Sequence, residues 1–215
     1  MMPAVCIVGK SKAGKTTLVE QLILEFKKRG YKIAAVKHAP EAIDVDIPGK
    51  DSWRFAQAGS DAVLASSSTK LTLIKNTDCD ASIDEILRII GGGVDLVLME
   101  GFKKGKVPKI EVHRKELGDD LACPVQMLSA VVSNEPLEID VPQFSPDDTE
   151  GIADFIEENF IFRTESDISV FVNGEQISMH PFVKEVMAKP LLAAVSTLKG
   201  VGKIKNLDIS IRNKP

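Results

Sequence analysis

The sequence predicts an α/β fold: a mostly parallel sheet between two layers of helices, followed by a small α+β appendage. Three observations predict it. A short apolar run over residues 4–8 leads into Gly9-Lys10-Ser11-Lys12-Ala13-Gly14-Lys15-Thr16-Thr17, and then into a pattern with Leu18, Val19, Leu22, Ile23 and Phe26 on one helical face. A second unbroken apolar run, residues 96–99, ends in an acid, Glu100; such runs suit strands covered on both faces. Beyond residue 163 the composition changes, and Asn173-Gly174 stands between two short apolar runs, which signals a hairpin. The expected division is a main domain over 1–163 and a ββαβ subdomain over 164–215.

The first loop fits G-x-x-x-x-G-K-[ST], the Walker A or P-loop pattern. The predicted fold is therefore the P-loop NTPase three-layer sandwich. Gly9 and Gly14 let the backbone turn tightly, so that successive N–H groups from Lys10, Ser11, Lys12 and Ala13 onward face a bound phosphate. Lys15 is expected to reach the terminal phosphates, and the Thr16 hydroxyl to ligate Mg²⁺, with Thr17 completing the motif. The helix that starts here adds the partial positive charge of its N-terminus.

The remaining elements follow in order. The first helix is expected from about residue 15 to 29, ended by Gly30. Residues 32–38 read as a strand that delivers Lys37 and His38 to the carboxyl edge of the sheet, where ligands gather in parallel folds. Residues 39–59 are loop-like and polar. Within them Asp44 and Asp46 are candidate Mg²⁺ ligands, since Mg²⁺ takes one or two carboxylates beside phosphate oxygens. Pro48-Gly49 marks a turn. A short helix follows from residue 52 to 58, capped by Asp51 or Ser52, and Lys50 and Arg54 are candidate phosphate contacts.

Residues 62–66 and 71–74 read as two strands joined by a tight turn, making part of the sheet antiparallel. Ile83, Ile86, Leu87 and Ile90 mark another helix, stopped by the glycines at 91–93. Glu100 then takes the place where P-loop proteins set a carboxylate for Mg²⁺ or its water; Asp95 starts the same strand and lies about 17 Å away at its other end. Lys103, Lys104, Lys106 and Lys109 form either a solvated basic loop or a second anion surface. Residues 110–114 alternate as a strand does, and 127–132 form the last central strand, leading to Ser133 and Asn134 as candidate base contacts. A helix over 147–162 closes the domain. The tail adds the hairpin, a helix from 181 to 198 bent at Pro190, and a final strand over 204–211.

Composition narrows the function classes. With 215 residues, 44% of them hydrophobic, the chain can bury a core of its own. A net charge of −4 argues against general nucleic-acid binding. No apolar stretch approaches a membrane span, and the chain runs directly into its first strand, so no signal peptide is expected. Cys6, Cys79 and Cys123 are odd in number and far apart, as reduced thiols of a cytoplasmic protein are. Cys6 reads as a core residue of the first strand.

Taken together, Gly9 to Thr17, Asp44-Val45-Asp46-Ile47-Pro48-Gly49-Lys50-Asp51-Ser52-Trp53-Arg54, Ala58-Gly59, and Leu96-Val97-Leu98-Met99-Glu100-Gly101-Phe102-Lys103 resemble the MobB family of molybdopterin-guanine dinucleotide biosynthesis adapter proteins. Pro108-Lys109-Ile110-Glu111-Val112 is similar too. The resemblance covers residues 4 to about 163. It implies a GTP-binding, weakly hydrolysing and often dimeric protein that assists a guanylyltransferase in attaching GMP to molybdopterin. It further implies that Asp46 and Glu100 are the acids near Mg²⁺ and that Lys50, Asp51, Ser52 and Arg54 contact phosphate. Lys15 and Glu100 are the residues it places closest to the chemistry.

Two features depart from the family pattern. Lys10 precedes Lys15 by five residues, as in deviant P-loops whose extra lysine reaches a partner's nucleotide. A single His38 stands where His followed by His or Asp is expected. Other functions compete. A small-molecule kinase should carry an arginine-rich lid, and none is evident. A metal-delivering GTPase should carry a His- or Cys-rich site, and three scattered residues of each do not make one. A pure interaction module would use its nucleotide site only to fix a dimer.

Overall fold

The computed structural model describes residues 2–39, 46–161, 168, 170–173, 175–177, 179–202, 204, 207, 209 and 211. Its centre is β1 (Ala4–Gly9), buried along its whole length. Successive side chains of a strand point to opposite faces, and β1 supplies two cores accordingly. Val5 and Ile7 join Leu18, Leu22 and Phe26 of α1 (Lys15–Lys28) and Ile152 and Ile156 of α4 (Thr149–Phe160). Cys6 and Val8 join Val97, Met99 and Leu87 on the other face, with Ile83, Ile86 and Ile90 of α3 (Ile83–Ile90) packed beside them. Full burial of a side chain such as Leu22 or Phe26 contributes about 1.5–3 kcal/mol.

The main sheet has six strands, ordered β2-β5-β1-β6-β7-β8. β2 is Ile33–Lys37, β5 Leu96–Glu100, β6 Lys109–His113, β7 Leu128–Ser133 and β8 Gln143–Phe144. Every pairing in it is parallel. The carboxyl ends of these strands therefore share one edge, and Gly9, Lys37, Glu100, His113 and Ser133 arrive there together.

Several expectations are corrected. β3 (Ala62–Ser66) and β4 (Leu71–Lys75) do form an antiparallel hairpin, but it is a separate two-stranded sheet. Leu64, Leu71 and Leu73 on it stay exposed. β8 was not expected; with two residues between Pro142 and Ser145 it is too short to leave a periodic signal. α2 (Asp51–Gln57) starts one residue early with Lys50 at its cap, because the Ser52 hydroxyl donates to Asp46 Oδ1 (2.9 Å) instead of capping.

β6 is the sharpest case. Its alternating sequence reads as a half-exposed strand, yet all five residues are buried, since it lies between β1 and β7 with both faces covered. Lys109 Nζ donates to the carbonyls of Gly105 (2.7 Å) and Val107 (3.0 Å). The Glu111 carboxylate accepts from the N–H groups of Ala122 (2.5 Å) and Cys123 (3.0 Å). Buried charges persist when hydrogen-bonded in this way. Lys109 thus shapes its own loop and belongs to no anion surface.

In the tail, β9 (Val170–Val172) and β10 (Glu175–Ile177) pair antiparallel, and α5 (Pro181–Ser196) runs through Pro190. Asn173 sits at the turn with φ 53°; Gly174 lies outside the described residues, as do residues 162–167 around the expected domain boundary. The final strand is not found among the described residues: Ile204, Leu207, Ile209 and Ile211 belong to no regular element. Ile211 is 85% exposed, and residues 205, 206, 208 and 210 of the expected strand lie outside the described residues.

Candidate phosphate-binding site

Gly9 ends β1 with φ 143°. A Cβ at this position would stand 2.3 Å from the Val112 carbonyl oxygen of β6, so only glycine lets the chain leave the sheet here. The turn continues through Lys12, in the left-handed region with φ 65°, to Gly14, with φ 100°. Gly14 is the cap residue of α1, and no side chain caps that helix and no acid occupies its first turn. The helix therefore presents unpaired N–H groups and its positive end to the space above the loop, which is the general form of an anion site.

An open pocket of about 410 Å³ occupies that space, lined by Ser11, Lys12, Gly14, Lys15, Thr16, Thr17, Lys37 and Glu100. Three lysines face one carboxylate. Lys15 Nζ donates to the Lys10 carbonyl at 2.7 Å. Partial burial pulls the Lys15 ammonium below the usual lysine range; Glu100 opposes that shift, and Lys103 and Lys37 add to it. The Thr16 hydroxyl donates to Glu100 Oε2 at 2.8 Å, and Lys37 Nζ stands 3.7 Å from Oε1. Glu100 is deeply set, with its side chain 13% exposed.

The hydroxyl of Thr16 and the carboxylate of Glu100 are hard oxygen donors side by side. This pair fits Mg²⁺, which takes few protein ligands and completes its shell with phosphate and water oxygens. Among the described residues no group of three or more His, Cys, Asp or Glu side chains is arranged to hold a metal by itself.

Other predicted residues lie elsewhere. Lys10 Nζ turns away from the pocket and donates to the carbonyls of Leu117 and Gly118, each at 3.1 Å. Asp46, Lys50, Asp51, Ser52 and Arg54 are outside the lining. Asp46 Oδ1 accepts from the Ile47 N–H and the Ser52 hydroxyl, both at 2.9 Å, while Oδ2 is buried without a partner among the described residues. Arg54 Nη1 lies 3.7 Å from Asp51 Oδ1 on the surface. Asp44 lies outside the described residues. His38 is also diverted: its Nε2 meets Asp80 Oδ2 at 3.3 Å and its ring packs on Phe102, 4.8 Å between centroids. Asn134 Nδ2 donates to Glu116 Oε1 at 3.2 Å.

Sequence reasoning missed Arg114. It follows β6 directly, and its Nε donates to the carbonyl of Ala13 at 3.3 Å. Ala13 is buried, so this contact satisfies a loop carbonyl that water does not reach. The one signal that marks it is its place at a strand's carboxyl end.

Comparison with known proteins places the chain in a family. Residues 4–134 match the family described as MobB, molybdopterin guanine dinucleotide synthesis protein B. The chain is 38% identical over 157 residues to the molybdopterin-guanine dinucleotide biosynthesis adapter protein of Haemophilus influenzae, covering 73% of this chain and 88% of that one. It is 34% identical over 164 residues to the protein of the same name from Escherichia coli, covering 74% and 93%. The crystal structure of Bacillus subtilis MobB superposes with a TM-score of 0.60 at 25% identity, over 74% of this chain and 98% of that one. On these matches the chain belongs to the MobB family.

Proposed function

We propose that the protein is a GTP-binding adapter in molybdenum cofactor biosynthesis, assisting a guanylyltransferase that converts molybdopterin to its guanine dinucleotide form. The observation that carries this reading is the Lys15–Thr16–Glu100 cluster at the carboxyl edge of a parallel sheet. The relatives' shared name supports the pathway.

In this reading the loop N–H groups from Gly9 to Thr17 cradle the phosphates and Lys15 leaves the Lys10 carbonyl for the terminal ones. Thr16 and Glu100 would hold Mg²⁺, which would supply charge neutralisation at the outer phosphates. Lys10 and the run through Asp46, Lys50, Asp51, Ser52 and Arg54 act outside the pocket, at the ligand's outer side or toward a second subunit of a cytoplasmic homodimer. Hydrolysis is slow, because the lining offers no glutamine or arginine to orient water or to meet transition-state charge.

The test is reconstitution. A guanylyltransferase of the pathway is assayed for GMP transfer to molybdopterin with and without this protein, alongside Lys15→Ala. Stimulation by the wild type alone supports the adapter reading. Equal stimulation by both chains removes the nucleotide site from the function, and no stimulation by either removes the adapter role.

A further inference from the structure

The pocket wall facing the loop has two side chains that the P-loop does not supply. They are paired in the sheet, with Lys37 of β2 in register with Glu100 of β5. The two oxygens of Glu100 are divided between different partners: Oε2 accepts from the Thr16 hydroxyl at 2.8 Å, and Oε1 faces Lys37 Nζ at 3.7 Å. The second contact is a loose one, beyond hydrogen-bond reach. Lys37 is 62% exposed against 13% for Glu100, so the carboxylate is set into the wall, held by Thr16, while the ammonium is largely solvated. A 3.7 Å pair with one solvated partner holds weakly. Lys37 and Lys15 both line this pocket, so the two lysines flank the same space.

Were Thr16 and Glu100 to hold a divalent cation, Glu100 would be less available to Lys37. The Lys37 ammonium would then be free to stand beside Lys15, at the end of the pocket where a P-loop lysine meets the outermost phosphates. We propose that Lys37 is a binding residue for the terminal phosphate, held by Glu100 in the empty pocket, and that it lets the site distinguish a nucleoside triphosphate from a diphosphate. This rests on the nucleotide reading above. It assigns Lys37 a task that neither the P-loop pattern nor the acidic strand end contains.

The experiment is calorimetric titration in Mg²⁺ with GDP and with a non-hydrolysable GTP analogue, using the wild type, Lys37→Gln, Lys37→Arg and Lys15→Ala. Lys37→Gln is expected to weaken the triphosphate by about tenfold and the diphosphate by less than about twofold, as loss of one charge-assisted contact to an exposed site should. Lys37→Arg is expected to keep most of the triphosphate affinity. Because Lys37 is largely exposed, thermal unfolding of both variants should match the wild type. Equal weakening of both ligands by Lys37→Gln, or no weakening of either, overturns the inference while leaving the nucleotide site standing. Failure of the wild type to bind either ligand overturns the site itself.

Discussion

Two stretches of this chain carry motif-like runs of polar residues and glycine, 9–17 and 46–54, and the fold treats them differently. The first is built into the centre of the molecule. β1 beneath it is buried between β5 and β6, Gly9 presses on the Val112 carbonyl, and Arg114 holds the Ala13 carbonyl. Among the described residues the second is held mainly by its own hydrogen bonds, with α2 packed on the β3 strand of the separate hairpin. Asp46 ties Ile47 and Ser52, Lys50 caps a seven-residue helix with no buried residue, and Gly49 has open space around it. A backbone-made site is fixed by the sheet that carries it, whereas a side-chain motif on a surface turn is only as well placed as that turn.

The largest expected differences break that contrast at its root. Lys15→Ala should lower nucleotide affinity by at least about a hundredfold, measured by calorimetry, since it removes a charge-assisted contact from a partly buried site. Gly9→Ala should destabilise the chain by about 3 kcal/mol or more, from left-handed strain plus collision with backbone that has no room to move. In thermal unfolding that amounts to roughly 10 °C for a domain of this size. Gly49→Ala, with φ 85° but nothing within 4 Å, should cost only the left-handed penalty of about 1–2 kcal/mol.

Smaller effects sharpen the comparison. If Glu100 helps to hold Mg²⁺ as proposed, Glu100→Gln should weaken nucleotide binding about tenfold in Mg²⁺ and far less in its absence. Joint replacement of Lys50 and Arg54 by Ala should change affinity by about threefold or less, as exposed charges outside the pocket contribute little. The thiols report the same difference between buried and surface chain. Cys6 is fully buried in β1 and burial pushes its thiol up to about 11. Cys123 is buried and raised as well. Cys79 is exposed. A thiol reagent near pH 8 should therefore modify Cys79 rapidly and the other two only on unfolding.

What was legible in the sequence follows from range. The β1–loop–α1 unit, the Glu100 strand end and the α3 pattern announce themselves within short contiguous stretches, by apolar run, glycine spacing and helical period. The pocket was legible because those units all end at one edge. Arg114 and Glu111 were not, since their partners are backbone groups of other loops: Ala13 for the one, Ala122 and Cys123 for the other. Lys109 bonds to Gly105 and Val107 nearby in sequence, but its burial follows from both faces of β6 being covered. Nothing local distinguishes a buried, satisfied Lys109 from the exposed Lys106 beside it. The β3–β4 hairpin was visible as a hairpin, but its separation from the main sheet depends on which edges are free, and a strand pattern does not record that. The position of 46–54 outside the pocket was hidden for the same reason.

The proposed function turns on a guanine-nucleotide phosphate site at Lys15, Thr16 and Glu100. It is tested most directly by titrating the full chain with GTP and with ATP in Mg²⁺, with Lys15→Ala as control. GTP is expected to bind at least about tenfold tighter than ATP, a difference of about 1.4 kcal/mol, with both lost in the control. Equal affinities, a preference for ATP, or binding that survives Lys15→Ala would contradict it.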